Sequence, residues 1–196
     1  MRYFTSDTHF GHKPIIEFCD RPYHDLEHME WVLLANINEV VKPTDTLYLL
    51  GDFSFKPKDN NIEIVKAINC PVVLIRGNHD HNNRIKNVGF ADVHDELDLQ
   101  LGKHIVTLSH FPYWIQGPDG HERKEGSGTI PDRYKDRRPK DVGLWLLHGH
   151  THDSGRIRPE HRMIHVGSDA WGHSPIAEVD VIKMIEQYTL TEQEST

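Results

Sequence analysis

Cysteine is nearly missing from this chain. Cys19 and Cys70 are the two in 196 residues, too few for a disulfide framework, and a reducing cytosol is the expected setting. Long apolar runs are missing as well. None approaches the roughly 20 residues of a membrane span, and Met1-Arg2-Tyr3-Phe4 leads into polar residues rather than the apolar core of a signal peptide. A cytoplasmic protein without membrane contact is therefore expected. Nor is there a basic surplus. Lys+Arg 22 against Asp+Glu 30 give a formal net charge of −8, which argues against coating long duplex nucleic acid or anionic lipid. Repeats and Ser/Gly linkers are also absent. The length suits one domain with a sizeable core, expected over residues 1–188, with 189–196 as a polar, frayed tail. What the chain has in excess is histidine, 16 residues.

Short apolar runs alternate with amphipathic stretches, the pattern of an α/β domain. The runs are Arg2 to Thr5, Thr46 to Leu50, Val72 to Ile75, His104 to Leu108, Leu144 to Leu147 and Met163 to Val166, each of buried-strand character. Leu26, Met29, Leu33, Ile37 and Val40 fall on one helical face between Asp25, an N-cap, and Pro43. A weaker pattern predicts a helix over Asn61 to Asn69, and Asp180 is expected to cap a last one. Residues 116–140 break the rhythm. They hold four glycines, three prolines and seven basic residues against five acidic ones. A loop of that length is a candidate lid or substrate-selecting arm, although a plain solvated loop fits it as well.

Five of the runs are followed at once by polar clusters able to bind metal or phosphate. These are Ser6-Asp7-Thr8-His9, Gly51-Asp52, Gly77-Asn78-His79-Asp80, Ser109-His110 and His148-Gly149-His150-Thr151-His152. The sixth run ends in Gly167-Ser168-Asp169, without histidine. Sites in α/β sheets form beyond the carboxyl ends of strands, so five strand ends would deliver these clusters to one place. Carboxylate, imidazole and amide donors without thiolate suit Mn²⁺, Fe or Zn²⁺ rather than a structural zinc finger. Six to eight donors exceed one tetrahedral site, whereas two ions about 3.5–4 Å apart need that many.

Asp-x-His, Gly-Asp, Gly-Asn-His-Asp, His and Gly-His-x-His, in this order, resemble the calcineurin-like metallophosphoesterase family, in its small bacterial and phage-type branch. The match spans Asp7 to His152, about three quarters of the chain. The resemblance implies two packed mixed β-sheets flanked by helices. It implies a first ion on Asp7, His9 and His152, a second on Asn78, His110 and His150, and Asp52 bridging them together with a hydroxide. Two divalent ions are thus expected, Mn²⁺ ahead of Fe, Zn or Ni. His79 is similar to the family's catalytic histidine, with Asp80 behind it to orient its imidazole and raise its pKa. His12 and Arg21 are candidates for contact with substrate phosphate. His148 is expected to point into the core.

Charge narrows the substrate. Two divalent ions with Asp7, Asp52 and a bridging hydroxide leave one positive charge, which a phosphodiester anion would cancel. The expectation is a metal-dependent phosphohydrolase acting on diesters ahead of monoesters, its substrates small phosphoesters, nucleotides or short single strands. A phosphomonoesterase and a metal-binding scaffold of the same fold are the competing readings. His148-x-His150-x-His152-Asp153 is superficially like the metallo-β-lactamase motif, but its last two residues stand in the reverse order.

Overall fold

Runs of Val, Ile, Leu and aromatic residues become strands here because both their faces are covered. The computed structural model describes residues 1–114, 134–152 and 155–194, with side chains through 189. In it β1 (Arg2–Thr5), β2 (Thr46–Leu49), β3 (Val72–Ile75) and β4 (Asp92–His94) lie side by side and parallel. The two-residue β10 (Ile176–Ala177) closes the other edge antiparallel to β1. A second five-stranded sheet begins with β5 (Glu96–Leu101) and β6 (His104–Ser109), continues through β7 (Trp145–His148) and β9 (Met163–His165), and ends in β8 (Ile157–Arg158). Strands β6, β7 and β9 are parallel, and β5 and β8 are antiparallel edges. Two mixed sheets with flanking helices are the expected architecture.

Side chains alternate across each strand. Phe4, Leu50 and Ile75 of the first sheet meet Leu101, Val106, Leu108, Leu147 and Ile164 of the second, and α5 (Glu178–Glu194) adds Val181 and Ile185. On the other face, Leu47, Leu49, Val72 and Leu74 pack with Met29, Leu33 and Ile37 of α2 (Leu26–Val40) and Val65 of α3 (Lys58–Ala67). Asp25 caps α2, its carboxylate accepting from His28 N at 2.8 Å. Truncating a fully buried side chain such as Leu33 would cost about 2–5 kcal/mol.

Several elements differ from the sequence expectation. Helix α3 starts at Lys58, three residues ahead of Asn61, because the turn after Pro57 already has helical geometry. Helix α5 begins at Glu178 and runs to Glu194, into the stretch expected to fray. Strands β4, β5, β8 and β10, with the one-turn helices α1 (Ile15–Phe18) and α4 (Asn82–Ile85), had no counterpart. Of the irregular basic loop, 116–133 lies outside the described residues, while 135–137 form a 3-10 turn. Among the described residues no helix is long and apolar enough to cross a membrane.

Parallel strands put their carboxyl ends on one edge, and Ser6 pairs with Gly167 there, joining the rims of the two sheets. All the polar clusters open onto that rim.

Candidate metal centre

The chain leaves β1, β2 and β7 by an abrupt reversal. Asp7 (φ 57°), His9 (52°), Asp52 (52°), His150 (74°) and His152 (53°) all sit in the left-handed region, which side chains other than glycine avoid at a cost of about 1–3 kcal/mol each. Such conformations survive where packing enforces them, and here they turn five polar side chains toward one point. The adjoining glycines give them room. Gly51, at φ +88°, approaches so closely that a Cβ would stand 2.7 Å from the Gly77 Cα and strike His110. A Cβ on Gly149 would overlap the Ser6 hydroxyl and the Asp7 carboxylate.

Asp7, His9 and His152 form one donor group, and Asp7, Asp52 and His110 another, with the donor atoms of each group within 4.8 Å of one another. In the first, His152 Nε2 lies 3.6 Å and His9 Nε2 4.0 Å from Asp7 Oδ1. In the second, His110 Nε2 lies 3.5 Å from Asp52 Oδ2, 3.1 Å from Asn78 Oδ1 and 3.2 Å from His150 Nδ1. The halves are also tied together through backbone: His150 N donates to Asp7 Oδ2 at 3.0 Å.

Donor chemistry fits a cation. Among the described residues His9 Nε2 is buried with no hydrogen-bond partner, a condition that a metal bond would relieve. Burial drives the His9 pKa down to about 2, against the pull of Asp7. Burial and His110 take His150 down to about 3, so both imidazoles are neutral, as ligands must be. Burial would raise Asp7, but His152, His110, His9 and the Ser6 hydroxyl outweigh it and hold the carboxylate well below its usual range. Asp52 is lifted to about 6, by burial first and then by Asp7 and Asp80; a cation would reverse that. Burial opposes a charged His152, yet Asp7 and the bond to Asp169 raise it to about 11. That positive charge stands where a metal would replace it.

The structure brings all seven expected donors together, with His79 beside them, its Nε2 3.9 Å from Asp52 Oδ2 and its side chain 38% exposed at the mouth. Three expectations need correction. Asp80 does not orient the His79 imidazole. Its carboxylate accepts from the backbone N–H groups of Asp52 and Gly77 at 2.8 Å and of Phe53 at 3.0 Å, so it pins the two loops together. The His79 pKa consequently falls rather than rises, to about 4, through burial and then the neighbouring His12, His110, His81 and Arg84. The ring leans instead on Phe55, 4.6 Å away. Nor does Arg21 face substrate: its side chain is fully buried, bonded to both Asp169 oxygens at 2.7 and 3.0 Å and to the Asp7 carbonyl at 2.7 Å. His12 is half-buried at the rim, stacked on Phe55 at 4.1 Å with Nδ1 3.2 Å from His9 Nδ1. His148 is buried against His165.

One residue of consequence had gone unread. Asp169 Oδ2 lies 2.9 Å from His152 Nδ1, leaving Nε2 turned to Asp7, an arrangement that sets tautomer and orientation in metal-bound histidines. The signal was its position after the sixth apolar run, where each of the other five is followed by a donor.

The sequence pattern described as the calcineurin-like phosphoesterase superfamily domain matches residues 3–175. The chain is 35% identical over 193 residues to the Gene 66 protein of Mycobacterium phage L5, covering 87% of each. It is 28% identical over 192 residues to the uncharacterized protein MJ1445 of Methanocaldococcus jannaschii, covering 94% of this chain and 91% of that one. The crystal structure of the protein of unknown function AQ665 from Aquifex aeolicus shares its fold with a TM-score of 0.69 at 29% identity, covering 94% of this chain and 99% of that one.

Proposed function

From the premise that the chain belongs to the calcineurin-like phosphoesterase superfamily, we propose that the centre holds two divalent ions and hydrolyses phosphoesters, diesters ahead of monoesters. The observation that carries this reading is the place of Asp52. Its Oδ2 stands 3.6 Å from His9 Nε2 and 3.5 Å from His110 Nε2, so a single carboxylate oxygen serves both donor sets.

Asp7, His9 and His152 would hold one ion, Asn78, His110 and His150 the other, with Asp52 between. The oxygen- and nitrogen-rich set suits Mn²⁺, and Fe, Zn or Ni could use the same donors. Such a pair supplies an activated water and neutralises charge building on the phosphoryl oxygens. The chain's own part is to hold the ester and move a proton. His79 reaches the mouth beyond Asp52, on the side where a leaving alcohol can depart, and proton donation there is worth roughly 10²–10⁴-fold in rate. Its low pKa reflects surrounding positive charge as well as burial. An anionic ester offsets that charge and restores the proton that the step consumes. Asn78 and His79 share one loop, so its backbone bond to Asp52, His79 N to Oδ1 at 2.9 Å, keeps donor and proton source in register. Nucleotides and short single strands fit a pocket in an acidic protein better than long duplexes do.

The test is hydrolysis of bis-p-nitrophenyl phosphate beside p-nitrophenyl phosphate by metal-stripped protein titrated with Mn²⁺. Diester turnover should rise with metal and fall by roughly 10²-fold or more in His79→Ala, with metal content unchanged. Preferential monoester turnover would make the protein a phosphatase. Two bound ions without turnover of either ester would favour a binding scaffold.

A further inference from the structure

Two guanidinium groups flank the loop that carries His79. Arg84, in α4, holds its guanidinium carbon 5.5 Å from the centre of the Phe55 ring, and Phe55 lies 4.6 Å from the His79 ring. Arg137, in the 3-10 turn, holds its guanidinium 4.7 Å over Phe111 and reaches the Gly77 carbonyl at 3.4 Å. Phe111 in turn packs 4.9 Å from both His110 and His150. Each arginine is thus stacked on a ring that touches one side of the donor cluster.

This placement is specific. Stacking on a ring face fixes the plane of a guanidinium while leaving N–H edges to meet an anion, and the planar fork matches phosphate oxygens in pairs. Arg137 is exposed and Arg84 partly so, in contrast to the buried Arg21. The neighbouring chain is cationic: Lys135, Arg137, Arg138 and Lys140 outnumber Asp136, in a protein of net charge −8. Both groups meet the loop that carries the proton source, Arg84 through the Phe55 ring beside His79 and Arg137 at the Gly77 carbonyl. A phosphate attached to the departing alcohol, which would leave on the side of His79, is the group they would meet.

We infer that Arg84 and Arg137 clamp a second phosphate, carried on the departing side of the ester, so that the substrate is a diester inside a nucleotide chain rather than an isolated one. The inference rests on the diester reading above and deepens it. One nucleoside separates consecutive phosphates of a strand, and the partly exposed Phe55 ring stands beside His79, where it would pass.

The experiment compares metal-loaded wild type with Arg84→Gln, Arg137→Gln and the double variant. The substrates are dithymidine monophosphate, the same compound with a further phosphate at its 5′ or its 3′ end, and a ten-residue oligothymidylate. Wild type should prefer one of the end-phosphorylated forms over the plain dinucleotide by about 10–100-fold in kcat/KM, mainly through KM, with about tenfold lost per guanidinium removed. Whether the 5′ or 3′ phosphate is favoured identifies the departing oxygen. Matching gains for the phosphorylated dinucleotide and the decamer make a single added phosphate sufficient; a gain confined to the decamer overturns the two-arginine clamp. Equal rates with and without the end phosphate, or a preference that survives in the double variant, overturn it too. Failure to cleave any of the compounds, including bis-p-nitrophenyl phosphate, would instead remove the diester reading and the clamp with it.

Discussion

The two halves of the centre are built from similar side chains and supported by different ones. Behind the half formed by Asp7, His9 and His152 stands a carboxylate: Asp169 lies 2.9 Å from His152 Nδ1 and is itself held by the buried Arg21. Behind the half formed by Asn78, His110 and His150 stands a neutral carbonyl, Leu50 O, 2.8 Å from His110 Nδ1. A carboxylate partner makes an imidazole a better donor than a carbonyl does. The first half also owns Asp7, whereas among the described residues the second has no carboxylate beyond the shared Asp52. Hence the first half should hold its ion tightly, and the second should hold a more exchangeable one, near the mouth where Phe111, Tyr134 and Arg137 gather. If the centre holds a pair, as proposed, catalysis would depend on the weaker half, and the shared carboxylate would link the two.

The largest effect is expected from removing that link. Asp52→Asn should reduce the bound ions from two to one and lower diester turnover by more than the roughly 10–100-fold of an outer-sphere change. Elemental analysis together with kinetics decides it, and a variant that keeps two ions and near-normal turnover would break the description of a shared oxygen. Next comes Asp169→Asn, which retains an oxygen for Arg21. It should weaken the tighter of two calorimetric binding steps by about 10–100-fold and leave the weaker step where it was. Equal weakening of both steps would erase the distinction between the halves.

How far the sequence displays this centre can be judged residue by residue. Asp7, His9, Asp52, Asn78, His110, His150 and His152 were legible because each follows an apolar run directly, and strand ends cannot avoid meeting on one rim. The two-sheet architecture was legible for the long parallel strands but not for β8 and β10, whose two residues are strands by virtue of their partners alone. β5 had a signal: Glu96-Leu97-Asp98-Leu99-Gln100-Leu101 alternates with period two. The roles of Arg21 and Asp80 could not be read in the same way. Arg21 meets Asp169 across 148 positions, and the Asp80 carboxylate turns toward backbone amides 27 and 28 residues away rather than toward the adjacent imidazole. Adjacency in sequence proved a poor guide once two loops were packed together.

The smallest and most diffuse expectation concerns acid, and it sharpens the comparison because the two halves titrate differently. In metal-stripped protein His9 and His150 are pushed down to about 2 and 3, so below pH 6.5 the unfolded chain takes up protons that the fold refuses. Each such group contributes stability that is present above pH 6.5 and is lost as pH falls. At pH 5.5 the loss is on the order of 1 kcal/mol per group. Asp52, lifted to about 6, works the other way by binding its proton more readily when folded, and offsets part of that loss. His152, raised to about 11, acts at the opposite end. Its contribution is complete below pH 6.5 and fades as pH rises toward 11. Thermal melts of the stripped protein should therefore decline on both sides of neutrality, with His152→Asn flattening the alkaline limb and leaving the acid limb in place. Saturating metal should lift the melting temperature near neutral pH and lose that hold as acid competes for His9 and His150. Melting temperatures that are flat from pH 7.5 to 5.5 without metal would mean that these imidazoles titrate normally, and that burial does not set their charge.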